Sequence, residues 1–328
     1  MSKHRIILDC DPGVDDAVAL LLAFASPNEI DLIGITTVAG NVPLADTTRN
    51  ALRICALADR SEIPVYLGCS RPILPAEQKL AGVHGKDGLG DIDLPDAGFE
   101  AKAQHAVDFI IEAVTRSPGE ITLCPIGPFT NIALALIKEP AIAGKIKNIV
   151  LMGGAAFCPG NSTSQAEFNV WCDPRAAQIV FSSGIPLVMF GLDVTNQAIL
   201  TPQRLQTLES GGETAATAVA MLRQYGSGDP ALHDPCVIAY LLDPSIFAGV
   251  EARVTVDCAS PLSMGRTVAA VSERHREGAA TNCLVITKVD DDRLFSLLDE
   301  RLRALSWQKS GLQPVQASDA DSKYRKAS

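Results

Sequence analysis

Short apolar segments alternate with helix-like segments along the first half of the chain, and this alternation constrains the fold more than any other feature. The apolar segments, which we predict to be strands, are residues 5–10, 31–38, 64–68, 120–127, 147–154 and 185–192. The segments with apolar residues at helical spacing are 15–25, 44–58, 106–116, 130–140 and 173–184. Strands that are apolar on both faces and alternate with helices indicate a parallel sheet covered by helices. We therefore predict an α/β fold, a mostly parallel, doubly wound (Rossmann-like) open sheet with helices on both faces.

The second half of the chain follows a different pattern. Three helices are predicted over residues 201–211, 213–226 and 234–244, followed by strands at 252–258, 262–271 and 282–290 and a helix at 291–305. These extra C-terminal strands are expected to extend the sheet or to add an antiparallel layer. Without a composition break, residues 1–309 are expected to form a single domain. The polar tail, residues 310–328, is expected to be disordered.

Charge and cysteine usage exclude several classes of partner. The formal net charge of −10 argues against a nucleic-acid backbone or an anionic membrane as the main partner. No apolar stretch reaches the roughly 20 residues that a membrane-spanning helix needs. The nine cysteines are scattered without a CxxC pair, as expected of reduced thiols. The amino terminus has no secretory leader pattern, so a cytoplasmic location is expected.

Four aspartates lie where the first predicted strand ends and the first predicted helix begins: Asp9, Asp11, Asp15 and Asp16. Acids in the first turn of a helix are stabilised by the helix dipole, which could account for Asp15 and Asp16 but not for Asp11. Carboxylates that converge on one point repel one another and raise each other's pKa unless a cation lies among them. Oxygen ligands of this kind suit Ca²⁺ or Mg²⁺ better than Zn²⁺. The cluster therefore favours a cation site over simple helix capping.

Two enzyme families place an Asp-x-Asp sequence after the first strand. In the haloacid-dehalogenase-type phosphatases the first aspartate is a nucleophile beside Mg²⁺, but their pattern continues with Gly-Thr, and here Pro12-Gly13-Val14 follows. The full run from Asp9 to Asp16 instead resembles the Asp-x-Asp-Pro-Gly-x-Asp-Asp motif of the nucleoside hydrolase family, the inosine–uridine-type ribohydrolases. Further segments resemble that family in the family's order: "ITTVAGN" (35–41), "VHGKDGLG" (83–90), "PIGPFTNIALAL" (125–136), "LMGGA" (151–155), "AEFNVWCDP" (166–174) and "HDPCVIAYLLDP" (233–244).

The resemblance implies a calcium-dependent enzyme that hydrolyses the N-glycosidic bond of ribonucleosides to free base and ribose. It implies one Ca²⁺ per subunit, with Asp11, Asp16, Asp234 and the backbone carbonyl of Ile126 as ligands. Asp11 is then also the general base that takes a proton from water, and His233 is the proton donor to the leaving base. For His233 alone, capping of the following helix is the alternative.

The remaining site residues implied by the resemblance contact the substrate. Asp15 is expected to accept a hydrogen bond from the 2′-hydroxyl of ribose, and Asp234 faces the 3′-hydroxyl. The other expected substrate contacts are Asn41, His84, Asn161, Glu167, Asn169 and Tyr225. Taken alone, Asn41 could be a turn residue after Gly40, His84 a member of a mobile surface loop, and residues 161–169 a solvated polar loop.

The base pocket and the assembly stay open at this point. Phe168 and Trp171 could stack on a base or belong to the core. Tyr225 stands where pyrimidine-preferring relatives carry a tyrosine, but Met221 replaces their glutamine and Gln224 lies on another face, so the base preference is open. A non-catalytic, Ca²⁺-stabilised nucleoside-binding protein is a further alternative. By analogy with the family, a homodimer or homotetramer is expected.

Overall fold

A nine-stranded sheet forms the centre of the computed structural model, which describes residues 3–74, 82–226 and 228–310. Its strands are β1 (His4–Cys10), β2 (Ile30–Thr37), β3 (Val65–Leu67), β4 (Ile121–Pro125), β5 (Asn148–Met152), β6 (Leu187–Phe190), β7 (Phe247–Val256), β8 (Thr267–Ala270) and β9 (Cys283–Val289). Their order across the sheet is β3-β2-β1-β4-β5-β6-β9-β7-β8. All neighbours from β3 to β9 run parallel, whereas β7 is antiparallel to β9 and β8 is antiparallel to β7.

The helices cover both faces of this sheet. They are α1 (Val14–Phe24), α2 (Leu44–Leu57), α3 (Ala106–Arg116), α4 (Thr130–Lys138), α5 (Phe168–Cys172), α6 (Pro174–Phe181), α7 (Leu192–Thr195), α8 (Pro202–Glu209), α9 (Glu213–Tyr225), α10 (Pro235–Leu242), α11 (Glu273–Arg276) and α12 (Asp291–Ser310). Short 3₁₀ turns occur at Gly82–His84, Pro140–Lys145 and Pro244–Ile246. The predicted fold class, a mostly parallel α/β sheet with helices around it, is confirmed.

Side-chain alternation along β1 explains why the sheet is covered on both faces. Ile6 and Leu8 belong to one buried cluster, which includes residues of α1, α9, α10 and α12, whereas Ile7 belongs to the cluster built with α3, α4 and α6. Successive strand residues point to opposite faces, so a strand with consecutive apolar residues such as Ile6, Ile7 and Leu8 must be buried on both. The central position of β1 follows from this pattern.

The chain reverses its direction across the sheet beside β1. It first builds β2 and β3 on one side of β1, and it then returns to place β4, β5 and β6 on the other side. The loops after β1 and β4 therefore separate at the carboxyl ends of these two strands. A crevice at such a switch point is the usual ligand site of open α/β sheets.

Several element boundaries differ from the predicted ones. The strand predicted at 262–271 is confined to Thr267–Ala270, and Leu262 is 88% exposed in the preceding turn. The extra strands extend the same sheet: β9 joins it in parallel beside β6, and β7 and β8 follow as an antiparallel edge. Helix α12 continues to Ser310, and the rest of the tail predicted to be disordered, residues 311–328, lies outside the described residues. None of the helices within the described ranges has both the length and the apolar character that crossing a membrane requires.

Candidate active site

A cavity of about 410 Å³ lies at the carboxyl ends of the parallel strands. Ten of the residues predicted for the site line it: Asp15, Asn41, His84, Ile126, Asn161, Glu167, Asn169, Tyr225, His233 and Asp234. Asp11 and Asp16 are not among the lining residues, and both are buried. Residues from seven separate loops or helix ends are thus brought together around one cavity.

Three carboxyl groups meet beside the cavity, those of Asp15, Asp16 and Asp234. One oxygen of each lies within 4.8 Å of the other two, and all three side chains are buried. Asp15 and Asp16 come from the first turn of α1, and Asp234 immediately precedes α10, which packs against α1. Because these oxygens lie so close together, three negative charges there would repel one another strongly unless a cation or a proton lay among them.

Burial is the main cause of the raised pKa values in this cluster, and the neighbouring acids add to it. Burial, followed by the charge of Asp15, raises the pKa of Asp16 to about 7. Burial and the charges of Asp15, Asp16 and Asp11 raise the pKa of Asp234 well above its usual range. Among the described residues, the only Lys, Arg or His side chain within 4.0 Å of these carboxylates is His84, whose Nδ1 lies 3.9 Å from Asp15 Oδ1. The negative charge of the cluster is therefore not neutralised by lysine or arginine side chains of the described chain.

Asp11 lies beside this cluster, directly after β1. Its Oδ2 accepts a hydrogen bond from the backbone N–H of Asn41 at 2.6 Å, whereas its Oδ1 is buried with no hydrogen-bond partner. Burial and the charge of Asp16 raise the pKa of Asp11 well above its usual range. A buried polar atom without a partner is rare in native structures and calls for a ligand, a water or an ion. Asp11 thus offers a free oxygen next to the three converging acids.

The Asp11 carboxylate packs directly against two glycines, Gly40 and Gly127. A Cβ atom at Gly40 would come within 2.9 Å of Asp11 Cγ and closer still to Oδ2, and a Cβ at Gly127 would come within 3.0 Å of the same carbon. Real Cβ atoms almost never approach other atoms so closely. The loops after β2 and β4 can enclose the carboxylate only because both positions lack a side chain.

The Asn41 side chain holds the acids in place. Its Nδ2 donates to the backbone carbonyl of Asp11 at 3.2 Å and to Asp16 Oδ2 at 3.1 Å. Asp16 also accepts from the backbone N–H groups of Asp11 and Gly13, at 3.2 and 2.9 Å. Asn41 therefore does more than form a turn after Gly40, since it links the loop after β2 to the first turn of α1.

The carbonyl oxygen of Ile126, the predicted backbone ligand, lies at the end of β4. Strand β4 pairs with β1, and directly after β4 the Ile126 N–H donates to the Asp9 carbonyl at 2.8 Å. The Ile126 carbonyl itself accepts from Asn169 Nδ2 at 2.7 Å. A carbonyl oxygen has two lone pairs, so this hydrogen bond leaves one for a cation.

Glu167 and Asn161 organise the loop between β5 and α5. Glu167 is the N-cap of α5 and accepts hydrogen bonds from the backbone N–H groups of Gly154, Asn169 and Val170, at 2.8, 2.9 and 3.2 Å. Asn161 Oδ1 accepts from the Phe168 N–H at 2.9 Å. These two side chains fix the backbone of the cavity wall, and both also face the cavity.

His84 is buried in the cavity wall and is not a surface residue. Its Nδ1 accepts a hydrogen bond from the backbone N–H of Val14 at 3.1 Å, and its ring lies 5.1 Å from the Tyr225 ring. Burial lowers the pKa of His84. A backbone N–H can only donate, so Nδ1 must be unprotonated and the proton of the neutral ring lies on Nε2.

His233 is held at both ring nitrogens. Nδ1 lies 2.7 Å from Thr195 Oγ1, and Nε2 lies 3.1 Å from Asp229 Oδ2. Burial opposes protonation, but the hydrogen bond and charge of Asp229 and the charge of Asp15 raise the pKa of His233. Capping of α10 by His233 is not observed, because Asp234 occupies the N-cap position. The sequence analysis missed both Thr195 and Asp229, although an acid four residues before a histidine could have pointed to the latter.

Three residues that bear on base preference occupy two different environments. Phe168 and Trp171 line the cavity and are half-buried, which leaves their rings accessible for stacking. Met221 is fully buried in the core and does not line the cavity. The residue that differs from the pyrimidine-preferring pattern is therefore not in direct contact with the cavity.

Comparisons with known proteins find one family along most of the chain. Residues 6–296 match the family model of the inosine-uridine preferring nucleoside hydrolases. The pyrimidine-specific ribonucleoside hydrolase RihB of Escherichia coli is 41% identical over 312 residues, which cover 92% of this chain and 98% of that protein. The purine-preferring ribonucleoside hydrolase from Gardnerella vaginalis has a TM-score of 0.86 at 35% identity and covers 92% of this chain and 99% of its own. A plant nucleoside hydrolase, PpNRh1, has a TM-score of 0.87 at 33% identity and covers 92% of this chain and 100% of its own.

Proposed function

This chain belongs to the inosine-uridine preferring nucleoside hydrolase family and is an N-glycosidic bond hydrolase, and from that premise we propose how its site hydrolyses ribonucleosides. The proposal is a reaction that depends on one Ca²⁺, yields free base and ribose, and uses the acids at the tip of β1. The observation that carries it is the convergence of three buried carboxyl groups beside the partnerless Oδ1 of Asp11.

The donor set fits a hard divalent cation. The cation would be held by Asp11, Asp16, Asp234 and the Ile126 carbonyl, and Asp15 lies close enough to contribute its own charge. Ca²⁺ accepts six to eight oxygen ligands, including carboxylates and backbone carbonyls, whereas Mg²⁺ usually retains several waters and binds one or two carboxylates. A set of several carboxylates and one carbonyl therefore favours Ca²⁺. When bound, the cation would neutralise the acids and lower the pKa of an adjacent water.

Asp11 is proposed as the general base. Its Oδ1 has no competing hydrogen-bond donor, and its Oδ2 is anchored by the Asn41 backbone, so the carboxylate has a fixed orientation. From this position it can accept a proton from the water that attacks the anomeric carbon of ribose. The carboxylate acts on water and not on the sugar, so no covalent sugar ester forms, unlike in retaining glycosidases.

Asp15 and Asp234 are proposed to accept hydrogen bonds from the 2′- and 3′-hydroxyls of ribose. Both line the cavity, as do Asn161, Glu167 and Asn169, which are proposed to contact the rest of the sugar. Hydrogen bonds to carboxylates strengthen as positive charge develops on the sugar ring, so they stabilise the transition state more than the ground state.

His233 is proposed to donate a proton to the leaving base. Its ring lies on the cavity wall, and its raised pKa favours the protonated form that a general acid needs. His84 and Tyr225 form the neighbouring wall and are proposed to contact the base, with Phe168 and Trp171 available for stacking.

The proposal also includes the substrate, the oligomeric state and the cellular location of the enzyme. A small nucleoside is the expected substrate, with residues 1–309 acting as one domain in a homodimer or homotetramer. The cysteines of the described residues are all free, as expected of a cytoplasmic protein. Analytical ultracentrifugation would distinguish a monomer from either assembly.

A nucleoside panel tests the proposed function. The purified protein is incubated with inosine, adenosine, uridine and cytidine, and reducing sugar is measured with Ca²⁺, with a strong chelator, and after Ca²⁺ is restored. We expect ribose release that the chelator abolishes and that Ca²⁺ restores, and a near-total loss in Asp11→Asn. Asp31→Asn is the matched control, because Asp31 lies at the opposite end of β2 and pairs with Arg5. Absence of ribose release with Ca²⁺ present, or full activity in Asp11→Asn, would contradict the proposal.

A further inference from the structure

Asp229 is an acid on the cavity wall to which the proposed reaction assigns no contact with the substrate. It belongs to the segment between α9 and α10, and its side chain is 26% exposed. Its Oδ1 accepts a hydrogen bond from the Ala231 N–H at 3.0 Å, which fixes the carboxylate. Its Oδ2 lies 3.1 Å from Nε2 of His233. Each oxygen retains a lone pair after these contacts.

The surrounding hydrogen bonds determine where the protons of His233 lie. Thr195 Oγ1 donates its single proton to the Gly191 carbonyl at 3.2 Å, so the same oxygen accepts a hydrogen bond from His233 Nδ1. Asp229 Oδ2 has only lone pairs as a carboxylate, so its bond with Nε2 requires a proton on Nε2. Partial burial opposes ionisation, but the hydrogen bond and charge of His233 lower the pKa of Asp229. The wall therefore presents an N–H donor directly beside a carboxylate acceptor.

A nucleobase that binds between Asp229 and His233 breaks their hydrogen bond. It can replace that bond without loss only if its edge carries an acceptor for Nε2–H of His233 and a donor for Oδ2 of Asp229. If the edge has an acceptor beside an N–H donor, Nε2–H donates to the base and the base donates to Oδ2. All groups then stay paired. If the edge has two adjacent acceptors, Oδ2 of Asp229 faces another lone pair and loses its donor, which is unfavourable in a partly buried site.

The common nucleobases differ in this feature. Adenine has the acceptor N7 beside the donor N6–H₂, whereas 6-oxopurines have the acceptors N7 and O6. Uracil has the acceptor O2 beside N3–H, whereas cytosine has O2 beside the acceptor N3. On the basis of the proposed function, we propose that Asp229 is a specificity-determining residue that, together with His233, selects nucleosides whose base has an acceptor beside an N–H donor. The predicted preferences are uridine over cytidine and adenosine over inosine.

The size of the preference follows from the exposure of the pair. A well-formed bidentate contact with a base discriminates by about 1–3 kcal/mol, which corresponds to roughly 5- to 150-fold. The Asp229 side chain is partly exposed, so solvent weakens the penalty for the wrong base. We therefore expect a preference of about tenfold in kcat/KM, at the lower end of that range.

The test is the ratio of kcat/KM values within each base class, uridine to cytidine and adenosine to inosine, in the wild-type enzyme and in Asp229→Asn. Asparagine keeps the shape of the side chain. If its Oδ1 still accepts from Ala231, its Nδ2 takes the place of Oδ2 and presents a donor to the base. We expect the ratio to fall from about ten to one or below, roughly a tenfold change. Because each ratio is taken within one protein preparation, partial unfolding of the variant does not affect it.

p-Nitrophenyl β-D-ribofuranoside serves as the internal control, because its leaving group has no base edge and needs no proton donor. We expect Asp229→Asn to hydrolyse it within about threefold of the wild-type rate. Asp229→Ala is the second variant if Asp229→Asn does not fold, and its ratio should approach one.

Several outcomes would overturn the inference: ratios that are unchanged in the variants, or a wild-type enzyme that prefers cytidine and inosine. Loss of all nucleoside hydrolysis with retained hydrolysis of the nitrophenyl riboside would also overturn it, because Asp229 would then act by orienting His233. Absence of hydrolysis of every nucleoside and of the nitrophenyl riboside by the wild-type enzyme would instead contradict the proposed function.

Discussion

Replacing Gly40 by alanine should slow the enzyme by about 10²-fold without removing any of its acids. Gly40 follows β2 and borders the carboxylate of Asp11 on its Oδ2 side. An added Cβ would lie 2.9 Å from Asp11 Cγ and 2.9 Å from Pro128 Cδ. Since Pro128 and the backbone around it limit movement on the other side, the Asp11 carboxylate has to shift.

The required shift can be worked out from these distances. Moving Cγ from 2.9 Å to the 3.4 Å of ordinary van der Waals contact requires about 0.5 Å, and the nearer Oδ2 must move further. Catalytic groups need to stay within about 0.5 Å of their productive positions, and a displacement of about 1 Å can reduce a rate by about 10²-fold. We therefore expect kcat to fall by about 10²-fold, or about 2.7 kcal/mol in activation free energy. Overpacking should also reduce the free energy of unfolding by about 1–3 kcal/mol.

Steady-state ribose release with Ca²⁺ present measures kcat, and denaturant unfolding measures stability. Gly144→Ala is the matched control, because a Cβ at Gly144 meets nothing within 4 Å and should leave both quantities unchanged. A Gly40→Ala enzyme that is folded and has a kcat within threefold of wild type would refute the reasoning, since the position of the Asp11 carboxylate would then not limit the reaction.

Three further predictions follow from other contacts of the site. Asp193 accepts a hydrogen bond from the backbone N–H of Phe157 at 2.7 Å and so holds the loop after β5. Asp193→Ala should therefore raise KM more than it lowers kcat and should reduce the free energy of unfolding by about 2 kcal/mol. Nucleoside kinetics measure the first effect, and denaturant unfolding measures the second. Asn131→Ala should lower the free energy of unfolding by about 1–3 kcal/mol, because its Nδ2 donates to the buried Asp9 carboxylate at 2.7 Å; a denaturation midpoint equal to that of wild type would contradict this. Ca²⁺ at a hundred times its Kd should raise the free energy of unfolding by about 2.7 kcal/mol, and thermal unfolding that does not respond to Ca²⁺ would count against a site in the native state.

The fold could be predicted from the sequence largely because of the central strands. β1 and β4 carry apolar residues on both faces, and the helices that follow them carry apolar residues at helical spacing. The sequence pattern of these segments therefore agrees with their buried positions in the structure. The place of β9 beside β6 could not be predicted in this way. It depends on a pairing between Leu187 and Cys283, which are far apart in the chain. The strand predicted at 262–271 was too long because apolar composition does not show where a turn begins.

The position of the candidate site could also be predicted from the sequence, but its internal contacts could not. The motif from Asp9 to Asp16 placed the acids at the tip of β1, where the structure has them. The three acids that converge most closely are, however, Asp15, Asp16 and Asp234, with Asp11 beside them. Which oxygens meet depends on the Pro-Gly turn and on the packing of α10 against α1, and neither is visible in residue spacing.

The hydrogen-bond partners of His233 are a further example of contacts that the sequence did not predict. Thr195 lies 38 residues before His233 in a short helix after β6, and Asp229 lies in an irregular segment. Thr195 belongs to no recognisable motif, and the four-residue spacing of Asp229 and His233 is only a weak signal, so the folded chain is needed to show both contacts. The proposed contacts with the base depend on such neighbours, and this is why the sequence did not resolve the base preference.

The central claim is that the acids at the tip of β1 hold one divalent cation, and calcium titration calorimetry tests it most directly. Metal-free protein is titrated with Ca²⁺, alongside Asp16→Asn, which keeps the shape of the side chain but removes its charge. The account predicts one Ca²⁺ bound per chain in the wild-type protein and at least tenfold weaker binding in the variant. Absence of calcium binding by the folded wild-type protein, or equal binding by Asp16→Asn, would contradict it.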